Sequence, residues 1–413
     1  MAPPDDPYER APRHPAARLA TGSPLLQESP SRVPSHEIQP FAAELSAKLA
    51  ARSRHVCLFL GAGASRACGL PDVGQLRDRV LERLDPEDRA AFATQLENRD
   101  LEQALSRLRR IAILLAGADQ TVDGLTAEGA ARLDRSVCRG IVEALNTDVA
   151  DHRPALRLAA WAARADYHLP VELFTVNYDL LIETALEALG VPYFDGFSGA
   201  LRARFRTEIV EAPSGSPDAL PAFMVRLWKL HGSVHWAWEH DEVVRLGAPV
   251  DAGDAAAIYP SDTKYEESRR VPFVVLQDRF RRALQHPETL VLISGYSFGD
   301  AHLNEMIFDA ARRRPRSEFS VFCYDDVPSI VAEQALSTPN LQVAGATEAI
   351  IGGIRAEWKA PDDLPGDLWA GDRFGLGDFE NLSSFLARSS PPQGELQARL
   401  AELLAVAAEQ ADA

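Results

Sequence analysis

The chain has 413 residues, of which 46% are hydrophobic and 25% are charged, as in soluble globular proteins. Its formal net charge of −17 repels a phosphate backbone, so we expect no direct binding of nucleic acid. Because no apolar stretch reaches the length of a membrane helix and the amino terminus lacks an apolar signal region, we expect a cytoplasmic protein that does not contact membranes.

The amino-terminal part of the chain begins with a polar tail. Residues 1–36 are rich in Pro, Ser and charged side chains without periodicity, which predicts disorder. Apolar side chains at helical spacing then predict a helix over 38–52. The continuous apolar run 56–60, closed by glycines, predicts a buried parallel strand. Three further apolar stripes at helical spacing predict a helical insertion over about 75–165.

In the second half of the chain, strands alternate with helices. The predicted strands lie at 171–176, 223–230, 289–294 and 319–324, and the predicted helices at 180–189, 265–284, 301–311 and 327–336. Short strands are expected at 191–193 and at 235–238, the second as an edge strand or hairpin, with a loop over 195–220. This alternation predicts an α/β fold, a Rossmann-like parallel sheet with helices on both faces, plus the helical insertion.

The same pattern divides the chain into three parts, the tail, a domain over 37–345 and an extension over 346–413. In the extension, Gly, Pro and Asp cluster between 352 and 379, and a short amphipathic helix is expected at 395–408. This extension either docks a partner or caps the core. The four cysteines show no C-x-x-C spacing, which argues against a disulfide framework and a structural zinc site.

The first polar motif follows the first predicted strand and reads Gly61-Ala62-Gly63-Ala64-Ser65. Glycines in such a turn let backbone N–H groups approach a pyrophosphate, and the start of the next helix favours negative charge. Because Arg66 replaces the third glycine of the G-x-G-x-x-G pattern, a tight turn without a ligand is the alternative.

Polar side chains also follow the next two long strands. Asn177 and Asp179 can meet a ribose and a carboxamide at a strand end, although Asp179 can also cap the following helix. His231, followed by Gly232, fits a general base. A structural histidine is the alternative.

The fourth motif follows the strand at 289–294 and reads Gly295-Tyr296-Ser297-Phe298-Gly299-Asp300. Small residues in this loop can hold the adenosine side of a dinucleotide. An ordinary strand-to-helix turn is the alternative, and His302 fits the surface of the helix that follows.

In this order the four motifs resemble those of the sirtuin family, over roughly residues 54–325. The forms Thr-x-Asn-Tyr-Asp, Lys-Leu-His-Gly-Ser and Gly-Tyr-Ser-Phe-Gly-Asp resemble the divergent bacterial sirtuin-like proteins of anti-phage defence. The resemblance implies that NAD⁺ is the substrate and that 37–345 is the catalytic domain. It implies catalytic roles for Asn177, Asp179 and His231, and NAD⁺ contacts for Gly61, Ala62, Gly63, Ser65, Pro71, Asp72, Gly232, Gly295, Ser297 and Asp325.

The chain departs from ordinary sirtuins at two places. Gly-Leu-Pro is followed by Asp72-Val73-Gly74 rather than by the family's Asp-Phe-Arg. Only one cysteine, Cys323, follows His231, where the family has a four-cysteine zinc module that supports the groove for an acyl-lysine peptide. We therefore expect no zinc or other metal, and an NAD⁺ glycohydrolase rather than a protein deacylase.

The expected reaction is cleavage of the bond between nicotinamide and ribose, which yields nicotinamide and ADP-ribose. The resemblance also implies a gated effector of anti-phage defence that forms a homo-oligomer and acts with a HerA-type ATPase or a short Argonaute. Two alternatives remain. One is an NAD-dependent protein deacylase or ADP-ribosyltransferase, and the other is a non-catalytic subunit that senses NAD⁺ or ADP-ribose in an ATPase complex.

Overall fold

The computed structural model describes residues 34–163, 167–212, 220–239, 242–248, 256–258, 271–359, 363–389 and 394–411. Of the predicted disordered tail, residues 1–33 lie outside the described residues, whereas Ser35–Glu37 form a strand. The first residues of the predicted helix 265–284 also lie outside them. Pro34–Ala413 form one compact unit.

Strands and helices follow the predicted alternation in the second half of the chain. The strands are β1 (Ser35–Glu37), β2 (Val56–Leu60), β3 (Glu172–Thr175), β4 (Tyr193–Phe194), β5 (Phe197–Ser198), β6 (Arg202–Phe205), β7 (Val225–Lys229), β8 (Gly232–Glu239), β9 (Glu242–Leu246), β10 (Ala256–Ile258), β11 (Leu290–Ser294), β12 (Glu318–Phe322), β13 (Leu341–Ala344), β14 (Glu348–Ile351), β15 (Ile354–Lys359), β16 (Trp369–Ala370) and β17 (Arg373–Phe374). The α-helices are α1 (Ile38–Ala50), α2 (Ala62–Ala67), α3 (Val73–Arg83), α4 (Pro86–Leu96), α5 (Leu101–Leu114), α6 (Ala127–Ala144), α7 (Arg153–Ala162), α8 (Leu181–Leu189), α9 (Thr207–Val210), α10 (Phe273–Gln285), α11 (Ala301–Arg313), α12 (Ser329–Ser337), α13 (Phe379–Ser389) and α14 (Glu395–Ala411).

A ten-stranded sheet forms the centre of the molecule, in the order β1-β15-β14-β13-β12-β11-β2-β3-β7-β4. Every neighbouring pair from β13 to β4 is parallel, and the central strands are buried on both faces because their sequences are continuous apolar runs. The predicted α/β fold with a Rossmann-like parallel sheet is confirmed. The sheet also continues past the predicted boundary at residue 345, because β14 and β15 extend it as antiparallel neighbours of β13 and of each other.

Helices cover both faces of this sheet, as predicted. In β2, Leu58 and Leu60 face the layer that contains α1, α7, α8 and α13. Cys57 and Phe59 face the opposite layer, which contains α10, α11 and α12. Side chains alternate between the two faces of a strand, so one apolar run supplies both cores. Because α13 lies in the first of these cores, part of the carboxyl-terminal extension covers the sheet.

The predicted helical insertion over 75–165 divides between two packing environments. Helices α3 to α6 share a core of their own, formed around residues such as Phe92, Leu108 and Ile141. Helix α7 instead packs on the sheet, where Trp161 is fully buried. The separate module therefore spans α3 to α6, and α7 belongs to the α/β core.

The predicted loop over 195–220 is wrong, because that segment contains β5, β6 and α9. Strands β10, β8, β9, β6 and β5 form a second sheet, which is antiparallel. In β6 the buried residue is the small Ala203, between two exposed arginines. Its apolar signal is therefore too weak to stand out in the sequence. The prediction of an edge strand or hairpin at 235–238 falls within β8, which pairs with β9.

Candidate active site

The carboxyl ends of five adjacent parallel strands lie at one edge of the central sheet. Gly61 follows β2, Asn177 follows β3, His231 follows β7, Gly295 follows β11 and Asp325 follows β12. Open α/β sheets bind ligands at this edge. Parallel pairing therefore gathers motifs that are far apart in the sequence at the place where a ligand is expected.

The two glycine loops of this edge pack directly against each other. The Gly63 backbone N–H donates to Gly295 O at 2.9 Å. A Cβ added to Gly61 would lie 2.4 Å from Gly295 O, and a Cβ added to Gly295 would lie 2.4 Å from Ala64 N. Close approach of two backbones is thus sufficient reason for glycine at all three positions. The phosphate contacts of this loop stay a prediction, and the helix that follows it, α2, has only six residues.

We expect Gly295→Ala to lower the free energy of unfolding by about 1–3 kcal/mol more than Gly352→Ala, because only the first forces a side chain into neighbouring backbone. The two glycines have similar positive φ values, +65° and +61°, but a Cβ at Gly352 meets nothing within 4 Å. The pair of variants therefore separates the steric clash from the cost of positive φ. Urea unfolding measures both, and equal losses would show that the loops can move apart freely.

Ser65, Asn177 and Asp179 form one hydrogen-bonded network between these strand ends. The Asn177 amide nitrogen donates to Ser65 Oγ at 2.8 Å and to Gly61 O at 2.9 Å. The Ser65 hydroxyl donates to Asp179 Oδ2 at 2.5 Å, and Asp179 Oδ1 accepts from Leu181 N at 3.1 Å. Asp179 therefore accepts a backbone hydrogen bond at the start of helix α8 and also belongs to the polar network, whereas its contact with a ribose or a carboxamide stays a prediction.

A buried ion pair that the sequence analysis did not predict lies beside this network. The Lys229 ammonium donates to Glu183 Oε1 at 2.9 Å, and both side chains are buried. Lys229 also donates to the Asp179 carbonyl oxygen, so the pair is tied to the backbone of the network. Burial raises the pKa of Glu183, an effect that the nearby Lys229 opposes.

A small cavity opens between the network and the ion pair. Asn177, Asp179 and Lys229 line it, together with Phe379 from the carboxyl-terminal extension, and its volume is about 10 Å³. A space of this size holds about one water molecule. The side chains of the network and of the ion pair therefore lie close together around this space.

His231 is buried between two carboxylates. Its Nε2 lies 3.5 Å from Asp300 Oδ2, and its Nδ1 lies 3.9 Å from Glu102 Oε1. Burial alone lowers the pKa of His231, but Asp300 and Glu102 outweigh it and raise the pKa to about 9. The imidazole is therefore positively charged at neutral pH, whereas a general base must first be neutral.

Each carboxylate beside His231 is held by a further contact. Asp300 is the N-cap of α11, where its Oδ1 accepts from His302 N and Leu303 N. Glu102 belongs to α5 of the helical module, and its Oε1 accepts the Tyr178 hydroxyl at 2.6 Å. The module is thus joined to the strand ends through Glu102. Within the described residues, the ion pairs of His231 are with these two carboxylates.

The remaining predicted residues have local structural roles here. Asp72 forms a capping box with Gln75 at the start of α3, and Pro71 is buried before it. Gly232 begins β8 with a φ of +92°. Ser297 is exposed, and the exposed Asp325 pairs with Arg373 at 3.2 Å. Contacts of Ala62, Ser297 and the others with NAD⁺ stay predictions.

Four residues near the site were missed or given no role by the sequence analysis. Asp300 and Lys229 stand inside the quoted motifs, Lys229 at the end of β7 and Asp300 at the start of α11, so their positions are a usable signal. Glu102 lies within an amphipathic helix far along the chain from His231, and Glu183 lies inside α8. A single sequence offers no sign that these two carboxylates lie at the site.

Residues 171–344 match the family described as the SIR2-like domain. This stretch is less than half of the 413-residue chain, and it includes Asn177, Asp179, His231 and Gly295 but not Gly61. No curated protein sequence matches the chain. A solved structure of a mutant Sir2 homologue in complex with ADP-ribose is similar at a TM-score of 0.37 and 13% identity, over 85% of this chain and 99% of that chain. In the described part of the chain, no helix is both long and apolar enough to cross a membrane.

One group of three possible metal ligands occurs among the described residues, His55, Cys57 and Glu172. It lies at the amino ends of β2 and β3, away from the motifs. Glu172 already accepts hydrogen bonds from His55, Trp228 and Arg279, and burial raises the pKa of the Cys57 thiol. A guanidinium and a protonated thiol do not suit a metal ion. The expected absence of zinc stays a prediction.

Proposed function

We propose that this protein hydrolyses NAD⁺ at the bond between nicotinamide and ribose. The observation that carries the proposal is His231, buried at the carboxyl edge of the parallel sheet with carboxylates on two sides. A titratable group with a strongly perturbed pKa at such an edge is typical of a catalytic site. The similarity of residues 171–344 to SIR2-like domains supports NAD⁺ as the substrate.

In the proposed reaction, the bond between the ribose carbon and the nicotinamide nitrogen breaks, and its electron pair leaves with nicotinamide. The oxygen of water forms the new bond to that carbon. His231, in its neutral form, accepts the proton that water loses. Asp300 and Glu102 then stabilise the resulting imidazolium, and Asn177, held in place by Ser65 and Gly61, positions the water.

This mechanism predicts an unusual pH dependence. Because the carboxylates raise the pKa of His231 to about 9, the neutral base becomes abundant only at alkaline pH, and kcat/KM is expected to rise with pH up to about 9. Asp300→Asn removes one negative charge, so the rising limb is expected to move to lower pH. The Asp309→Asn variant, on the same helix and paired with Arg313, is the matched control and keeps the limb in place. If kcat/KM of the wild type rose near the ordinary histidine pKa of about 6.5, that result would contradict the role of the carboxylates.

We also propose that the activity is gated. The cavity beside Asn177 and Asp179, at about 10 Å³, is far smaller than ligand pockets of about 300–1,000 Å³. Binding of NAD⁺ at this point is therefore expected to move side chains of the network apart. A partner such as a HerA-type ATPase or a short Argonaute, or assembly into a homo-oligomer, would supply that change during anti-phage defence, where loss of NAD⁺ halts the infected cell.

The charge on His231 also favours a second candidate function, a subunit that senses NAD⁺ or ADP-ribose without turnover. An imidazole that is positively charged at neutral pH does not accept a proton from water and so does not act as a base. The two functions differ in their product. A sensor binds the dinucleotide and releases no nicotinamide.

The deciding experiment follows NAD⁺ and nicotinamide by chromatography with the purified protein, alone and with the product of the neighbouring gene. The His231→Ala variant is measured beside the wild type. Equal amounts of lost NAD⁺ and released nicotinamide, absent in the variant, would establish the hydrolase. Binding of NAD⁺ without release of nicotinamide under both conditions would support the sensor and overturn the hydrolase.

A further inference from the structure

A second and larger cavity lies at the amino ends of the same strands, opposite the proposed NAD⁺ site. Its volume is about 410 Å³, within the range of small-molecule sites. Arg226 of β7 and Glu172 of β3 line it, and Ile209, Val210 and Leu220 form an apolar wall. The cavity thus combines a few charged groups with an apolar surface, the usual composition of a binding site.

Arg226 is the group in this cavity whose hydrogen bonds are incomplete. Its side chain is more than nine-tenths buried, at 7% exposure. The Nη2 atom donates to Leu220 O at 2.9 Å, whereas Nη1 has no hydrogen-bond partner in the part of the chain that the structure describes. Burial lowers the pKa of Arg226 to about 10, so the side chain is still positive at neutral pH. A buried cation without a partner is costly unless something else supplies the negative charge.

The carboxylates beside Arg226 are already matched by other cations. Glu172 accepts from Arg279 at 2.8 Å, and from Trp228 and His55 at 2.7 and 2.8 Å. Arg282, which also lines the cavity, pairs with Asp278 at 2.5 Å. Among the described residues, Arg226 therefore shares Glu172 with Arg279 and has no ion pair of its own.

We propose that this cavity binds a small molecule that carries a carboxylate or phosphate group. The anionic group pairs with the Arg226 guanidinium, which is suited to both carboxylate and phosphate. The apolar part of the ligand lies against Ile209, Val210 and Leu220. This site is independent of the proposed NAD⁺ hydrolysis, because it lies at the opposite ends of β3 and β7 from Asn177 and His231.

The test is calorimetric titration of the whole protein with inorganic phosphate and, separately, with benzoate, at constant ionic strength. Phosphate presents the anionic group alone, and benzoate adds an apolar body, so the comparison identifies which ligand class the cavity prefers. We expect at least one of the two to bind the wild type. Binding is expected to be weaker by about tenfold or more in Arg226→Met, which lacks the charged donor.

Two further variants make the result decisive. Arg355→Met removes an exposed arginine of β15 that pairs with Glu348 of β14, and this matched control is expected to keep the wild-type affinity. Ala222→Glu places a carboxylate at an exposed position of the cavity lining. It is expected to weaken anion binding as strongly as Arg226→Met does, and it tests the cavity without removing a buried side chain. The proposal is overturned if neither anion binds the wild type, or if Ala222→Glu and every folded Arg226 variant bind as the wild type does.

Discussion

Replacement of His231 by alanine is expected to lower the rate of NAD⁺ cleavage by about 100-fold to 10,000-fold, the usual contribution of a positioned acid or base. Two features of the structure support an effect of this size. The side chain is buried, so solvent water cannot easily replace it as a proton acceptor. The carboxylates of Asp300 and Glu102 lie on both sides of the ring, where they favour the charged form that proton transfer produces.

His302→Ala is the matched control for this prediction. His302 is exposed on α11, two residues after Asp300, so its removal tests loss of a nearby imidazole without loss of the proposed base. Release of nicotinamide is measured for both variants and the wild type, at neutral pH and near pH 9. If His231→Ala kept the wild-type rate at both pH values while His302→Ala did the same, another group would have to accept the proton.

The structure also makes the helical module part of the proposed site. Glu102 of α5 contacts both His231 and the Tyr178 hydroxyl, and Tyr178 packs in the core of the module. A movement of α5 would therefore change the charge around His231. Through Tyr178, it would also shift the backbone between Asn177 and Asp179. This contact offers a physical route by which a partner that binds the module would control the reaction.

The sequence predicts the central sheet and the edge that gathers the motifs well, for a physical reason. Buried parallel strands are mainly apolar, and they end where polar or glycine residues begin. Gly61 and Gly295 follow continuous apolar runs, whereas Asn177 and His231 follow mainly apolar strands that also contain charged residues. Parallel order then places them together without any knowledge of side-chain contacts.

Other features of the site depend on contacts between distant segments, and the sequence does not reveal them. His231 was predicted as a base, and its pKa is raised by Glu102 and Asp300, which come from the helical module and from α11. The boundary at 345 fell inside the sheet because β14 and β15 form an antiparallel hairpin of alternating character. Such a hairpin resembles a surface extension until its pairing with β13 is known.

Glu172→Gln is expected to lower the free energy of unfolding by about 3–5 kcal/mol, the cost of leaving a buried cation without its partner. Glu172 is fully buried, and its loss leaves the Arg279 guanidinium inside the protein without a matching charge. Glu348→Gln provides the matched control on the same sheet. Glu348 pairs with Arg355 through two hydrogen bonds in the same way, but Arg355 is half exposed, so the expected loss is at most about 1 kcal/mol.

The pH dependence of the Glu172 effect gives an independent check. Burial raises the pKa of Glu172, but Arg279 and His55 outweigh burial and hold the pKa well below its usual value. A carboxylate with a lowered pKa in the folded state stabilises the fold above its unfolded pKa of about 4.3, and this stabilisation is lost as the pH falls further. In urea unfolding, the difference between wild type and Glu172→Gln should therefore stay constant near neutral pH and shrink below about pH 4. If Glu172→Gln and Glu348→Gln lowered the free energy of unfolding equally, the buried ion pair would stabilise the fold no more than the exposed one does.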